Sequence, residues 1–227
     1  MREAGVWAVI LAVGLFPGVQ TVCSAAILND GQVHTIDYTV DFVDVFDGPD
    51  PPPPDVTTVI LVDGGEVSDA LEAFEHSEVS ILGGTIGADL EVHDQCQVLI
   101  SGGTIGEELQ VLDDCRITIT GGDLRDGIEA YGQSEITITG GLLGLRFYAA
   151  NDCRISIFGT DFAVDGSPVG YGPVSAPIGE LTGTLQNGDP LFAMFMVQDN
   201  ASVILLPEPA ALLLFALGGL AIRRKRR

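Results

Sequence analysis

GGTIGADLEVHDQCQVLIS (residues 83–101), GGTIGEELQVLDDCRITIT (102–120) and GGDLRDGIEAYGQSEITIT (121–139) are three consecutive copies of one 19-residue unit. The same Gly-Gly marker stands at Gly64 with Gly65 and at Gly140 with Gly141, so the unit is written five times over residues 64–158. A degenerate pair, Gly159 with Thr160, opens a further copy. Self-similarity at a short fixed period marks a solenoid, in which each unit stacks on its predecessor.

The columns of the unit say how it folds. With the first Gly as position one, position four holds Val67, Ile86, Ile105, Leu124, Leu143 and then Phe162. Position eight holds Leu71, Leu90, Leu109, Ile128 and Phe147, and position ten Ala73, Val92, Val111, Ala130 and Ala149. Positions sixteen and eighteen are only Val or Ile: Val79, Val98, Ile117, Ile136, Ile155, and Ile81, Ile100, Ile119, Ile138, Ile157. Ser80, Thr118, Thr137 and Ser156 stand between them. Apolar residues alternating with polar ones, many of them β-branched, are a strand pattern. Paired glycines at every repeat would interrupt a helix before it could bury a face. The spacing predicts an all-β chain: a single-stranded parallel β-helix of about six 19-residue coils, about three strands per coil, stacked roughly 4.8 Å apart. Position fifteen checks the register independently. It reads Glu78, Gln97, Arg116, Glu135, Arg154, which sets Glu135 between two cations on neighbouring coils.

The chain has 227 residues and a formal charge of −22. Residues 27–206 hold 30 acidic and 4 basic residues, a net −26, with no lysine. Nucleic acid is excluded as a partner, because phosphate binding needs clustered Lys or Arg. Divalent cations, basic polymers and simple solubility remain.

The two ends carry the destination. Residues 1–26 read as a secretory signal peptide: Arg2, then the apolar run VWAVILAVGLF (6–16), a break at Pro17 and Gly18, and small residues Cys23, Ser24, Ala25 and Ala26 at a cleavage site. Lipidation at Cys23 and an uncleaved anchor are the alternatives. At the other end Pro207, Glu208 and Pro209 precede the apolar run AALLLFALGGLAI (210–222), which is followed by Arg223, Arg224, Lys225, Arg226 and Arg227. An apolar run of 13 residues is about 20 Å long as a helix, short of a ~30 Å hydrocarbon core. Residues 203–206 and snorkelling arginine stems would extend it, and five terminal cations would hold its end in the cytoplasm. This tripartite order resembles the PEP-CTERM sorting signal, and the resemblance covers residues 206–227 only. Leu206 stands where Val is commoner and Ala210 where Ser is frequent. The resemblance implies an exosortase and the secretion machinery as partners, transient insertion in the inner membrane, removal of the tail, and release to the envelope or exterior. A retained C-terminal anchor is the plainer alternative.

The remaining layout is an N-terminal cap of strands with a Pro-rich link (27–55), solenoid repeats (56–162), C-terminal capping strands (163–205) and the sorting segment (206–227). Within it, VHTIDYTVDFVDVF (33–46) reads as the covering strand or hairpin and DGPDPPPPD (47–55) as a stiff link. Residues 159–177 read as an irregular half-coil, 181–185, 191–197 and 201–206 as closing strands, and Asn187 with Gly188 as a hairpin turn.

Candidate chemistry is sparse. Cys96, Cys115 and Cys153 share position fourteen with Ser77 and Ser134, which suits small inward residues. A Cys96–Cys115 disulfide is the alternative, whereas one thiol per coil makes a poor zinc site. Acidic columns at positions six and seven, nine, twelve and thirteen (Asp69, Asp89, Glu107, Glu108, Asp126; Glu72, Glu91, Glu129; Glu75, Asp94, Asp113, Asp114, Asp152) suit a solvated face, with calcium the sharper reading. Lyase-type chemistry would have only Arg125 and Arg146 as turn-borne bases, and no long loop interrupts the repeats to build a cleft. His34, His76 and His93 are scattered. The reading is therefore an exported, non-enzymatic surface protein with no catalytic residues and no dedicated metal site. Its role is structural or adhesive, with extracellular polysaccharide as a possible contact. A small carbohydrate-active β-helix enzyme and a calcium-dependent adhesin are the alternatives.

Overall fold

Residues i and i+2 of a strand point to the same side, so the paired Val/Ile columns dictate which face of each coil turns inward. A computed structural model describes residues 25–46 and 56–208, and it stacks those columns directly. Val98, Ile117, Ile136 and Ile155 are successive partners in parallel register, as are Ile100, Ile119, Ile138 and Ile157. None of these eight is more than 3 % exposed. The described chain is all-β, a parallel solenoid of about six turns.

Each turn has three faces. The first is laid down by Val33–Ile36, Thr58–Leu61, Glu78–Ile81 and Gln97–Ile100, then by the opening halves of Arg116–Leu124, Glu135–Leu142 and Arg154–Val164, and finally by Ser202–Leu206. The second is short: Thr39–Val40, Glu66–Val67, Thr85–Ile86, Thr104–Ile105 and the end of Arg116–Leu124. The third comprises Ala26–Leu28, Val43–Val45, Leu71–Ala73, Leu90–Val92, Glu108–Val111, Gly127–Ala130, Arg146–Ala149 and the later part of Pro190–Val197. All inward residues form one continuous core cluster from Ala26 to Leu205.

The three corners have different physics. At the first corner the Gly-Gly pair lets coils approach closely: Gly103 has φ +75°, and a Cβ there would lie 2.7 Å from the Gly83 carbonyl oxygen. At the second, a Cβ on Gly106 would lie 2.1 Å from the Gly87 carbonyl oxygen. At the third, position twelve is left-handed in six successive coils: Glu75, Asp94, Asp113, Gly132, Asn151 and Asp199 have φ between 54° and 69°. Short polar side chains tolerate this conformation because they bond locally. Here the bonds run between coils. Glu75 N–H donates to Asp94 (2.9 Å), Asp94 N–H to Asp113 (3.3 Å), Gly132 N–H to Asn151 (3.2 Å) and Asn151 N–H to Asp199 (3.3 Å).

Two stretches read as covers are coils. Val33–Ile36 pairs in parallel with Thr58–Leu61, Thr39–Val40 with Glu66–Val67, and Val43–Val45 with Leu71–Ala73. Residues 33–46 therefore form the first complete turn, and the Pro-rich link 47–55, outside the described residues, lies between two turns. Likewise Ser202–Leu206 continues Arg154–Val164, and Met194 to Val197 continue Arg146–Ala149, each at a spacing of 48 residues instead of 19.

The extra length is the true C-terminal cap. Residues 172–184 run antiparallel along the edge of the last coil, from Pro173 opposite Ile204, through Val197 N–H donating to the Pro177 carbonyl (2.7 Å), to Thr184 opposite Pro190. Asn187 and Gly188 turn this strand back into Pro190–Val197, as the sequence suggests, with Gly188 at φ +94°. Arg154–Val164 adds a further antiparallel strand outside it, which places Phe162 in the core. With its last edge covered antiparallel, the stack cannot accept another coil there.

Candidate functional site

The outward side of the third face concentrates polar groups and rings. Its central column reads Asp44, Glu72, Glu91, Gln110, Glu129, Tyr148, Met196, all successive register partners. Like carboxylates stacked at strand spacing repel, and half-burial between neighbours removes water that would screen them. Burial raises the Asp44 carboxyl above its ordinary value. Burial raises Glu72 too, with Glu91 and Asp44 adding to it. Asp89 in the flanking column is raised by burial, then by Asp126 and Asp69.

Cations relieve this charge at one place. Arg146 donates to Glu108, and its guanidinium lies 3.6 Å from Glu129. Arg125 is exposed at the second corner, 4.0 Å from Asp123. The structure thus gives Arg146 two carboxylate partners on the third face and sets Arg125 beside Asp123 at the second corner.

Aromatic rings flank the carboxylates at position eleven. Phe46 stacks on Phe74 with centroids 4.8 Å apart, and Phe74 on His93 at 4.7 Å. His93 Nε2 is 3.5 Å from Glu91. Tyr131 and Tyr148 are tilted at 5.4 Å, and the Tyr131 hydroxyl donates to Glu129 at 2.9 Å. Burial, then that bond, pushes the Tyr131 hydroxyl up to about 12. This row of rings was missed when only the acidic columns were read. Its signal was present in Phe74, His93 and Tyr131 at one position of the repeat.

Other candidates have structural partners. The position-twelve acids Glu75, Asp94 and Asp113 are exposed left-handed corner residues, and Asp94 and Asp113 also accept backbone N–H groups of the preceding coil. Among the described residues no group of three or more His, Cys, Asp or Glu is arranged to hold a metal ion. His34 is bonded to Asp30 at 2.8 Å. Cys96, Cys115 and Cys153 are free thiols in the core. Ser77 Oγ lies 3.2 Å from the Cys96 sulfur. Burial pushes Cys153 up to about 11, and its hydrogen bond with Cys96, then burial, pushes Cys115 up as well. Cys115 and Cys153 are poor nucleophiles where they stand, and Cys96, whose thiol is lowered by its bond with Cys115, is fully buried. On the first face Arg116 and Glu135 are neighbours as the register predicts, 3.5 Å apart and both well exposed.

Of the sorting motif, Pro207 and Glu208 follow the terminal strand and are half-buried. Pro209, the basic residues Arg223, Arg224, Lys225, Arg226 and Arg227, the apolar run 210–222 and signal residues 1–24 lie outside the described residues. Among the described residues no helix is long and apolar enough to cross a membrane. No family model matches the chain, and no curated protein or solved structure matches it either.

Proposed function

We propose that this chain is an exported, non-enzymatic β-solenoid of the cell envelope or extracellular matrix, sorted through its C-terminal segment by an exosortase. The carrying observation is where the solenoid stops. Its terminal strand, Ser202–Leu206, is followed at once by Pro207, Glu208 and Pro209, then by the apolar run and five cations. A closed body followed by an extended motif and a short apolar segment is suited to cleavage outside a membrane. Its surface role is structural or adhesive. Half-buried carboxylates beside half-buried rings on the third face support contact with sugar hydroxyls and sugar faces. Each candidate arginine lies beside a carboxylate that favours its charged form, which supports the non-enzymatic reading over the carbohydrate-active one.

Mass spectrometry of the exported protein tests the sorting. A C-terminus near Pro207–Pro209 supports it, and an intact Arg227 on exported material rules out processing. Retention of added polysaccharide by the wild type, lost in Phe74→Ala and Tyr131→Ala, supports the adhesive role; equal retention removes it.

A further inference from the structure

The third face changes character along the solenoid axis. The column that carries Glu72, Glu91 and Glu129 ends in Tyr148 and Met196, and the column of Glu108 and Arg146 ends in Met194. Antiparallel pairing sets Ile178 beside Met196, Glu180 beside Met194 and Thr182 beside Phe192 on the same outward side. Leu145, whose carbonyl accepts the Met194 N–H, borders the row. Exposure is 56 % for Phe192, 47 % for Met194, 37 % for Met196, 54 % for Ile178 and 67 % for Leu145. Phe192, Met194 and Met196 thus form an apolar row along one strand, flanked at Met194 by Arg146 and Glu180, and such a row at one end of an otherwise acidic surface marks a contact face.

The position of the row in the chain identifies its occupant. Leu206, the last strand residue, is the register partner of Phe158, whose carbonyl accepts the Gln186 N–H. The strand bearing Phe192 begins at Pro190, just after that turn. Pro207, Glu208 and Pro209 reach no more than about 10 Å when extended, so the apolar run 210–222 starts close to this end of the solenoid. Charge narrows the choice of surface. Residues 159–208 contain no Lys or Arg, and the body carries −26, so an anionic surface repels it at close range.

We propose that Phe192, Met194, Met196, Ile178 and Leu145 form a membrane-contact surface. While the C-terminal tail is inserted, the last coil lies against a zwitterionic lipid headgroup layer with these side chains in the interface. Tyr148, beside Met196, stands at the border between the lipid-facing row and the wet carboxylate surface, where an amphipathic ring is favoured. The proposal rests on the membrane reading of the tail. It adds that the folded body touches the bilayer, in one orientation, before release.

The test uses the chain from Ala25 onward, the form left when the signal segment is removed, reconstituted into phosphatidylcholine vesicles. Trp7, the one tryptophan, leaves with that segment, so the background is silent. Phe192→Trp then places an indole in the row, and Ile27→Trp places one at the opposite end, where Ile27 is 45 % exposed. Brominated lipid is expected to quench position 192 and leave position 27 bright. Vesicle flotation with both positions equally bright overturns the contact surface while sparing the tail reading. Failure to float removes the tail reading, and the proposal with it. A blue-shifted but unquenched indole at position 192 means that the tail or a second copy covers the row, and also overturns the proposal. Phe192→Tyr, checked by circular dichroism, confirms that substitution at 192 leaves the fold intact.

Discussion

The backbone N–H of Glu75 donates to the Asp94 carboxylate of the next coil at 2.9 Å, and both residues hold a left-handed backbone. One carboxylate thus tolerates the corner conformation and ties two turns together. Asp94→Ala loses both features, and a drop of about 2 kcal/mol is expected in urea unfolding. Asp94→Asn keeps the acceptor and removes one negative charge, so it should be neutral or stabilising. Equal losses in the two variants would mean that charge matters more than geometry.

The Gly-Gly corner makes a sharper demand. Gly103→Ala adds a Cβ 2.7 Å from the Gly83 carbonyl oxygen at φ +75°, a backbone clash on top of conformational strain. Gly188→Ala meets only strain, since nothing lies within 4 Å of its added Cβ at φ +94°. Thermal denaturation should show a loss of about 1 kcal/mol for Gly188→Ala and at least twice that for Gly103→Ala.

Acidification should first stabilise the protein. Burial raises Asp44, Glu72 and Asp89, so the folded chain binds protons more tightly than the unfolded chain. Stability is then lost as pH rises through the raised values and recovered as pH falls. Asp30, where burial is outweighed by His34 and the Gln32 N–H together, and Asp189, held down by Asn187 and the Gly141 N–H, act the other way and lose their contribution in stronger acid. Tm is expected to rise from about pH 7 to about pH 5 and to fall by about pH 3. Glu72→Gln should flatten the rise; a Tm that falls steadily from neutrality would contradict this balance.

Arg146 neutralises Glu108 and Glu129, whose side chains are only 16 % and 23 % exposed, while Arg146 itself is 54 % exposed. Arg146→Gln should cost about 1 kcal/mol at low ionic strength, after discounting for solvent screening. Added salt should shrink the difference between variant and wild type. A deficit that does not change with salt would indicate lost packing of the arginine stem instead.

The repeats were legible because their physics is local and periodic: Ile100, Ile119 and Ile138 could be neighbours in only one register. The first and last turns were not. Ile36 and Leu61 are partners 25 residues apart, with the Pro-rich link between their turns, and Arg154 and Ser202 are partners 48 apart. No Gly-Gly marker announces either pair. Left-handed corners were hidden as well, because Asp94 and Asp113 are exposed charges whose corner role shows only in their φ angles. The ring stack of Phe74 and His93 was readable in principle, since both stand at one position of the repeat. The apolar row at Phe192 and Met194 was not, because its exposure depends on where the antiparallel cap strand lies. The tail's chemistry is legible in its sequence alone.

The units between Glu66 and Phe158 meet their neighbours through the same inward columns, while the cap reaches only the last two, bonding Thr139 and Gly141 through Asn187 and Asp189. Excision or duplication of one whole unit, for example residues 102–120, leaves each remaining side chain with an equivalent neighbour. The molecule is therefore built like a ruler whose reach changes in whole steps of roughly 4.8 Å.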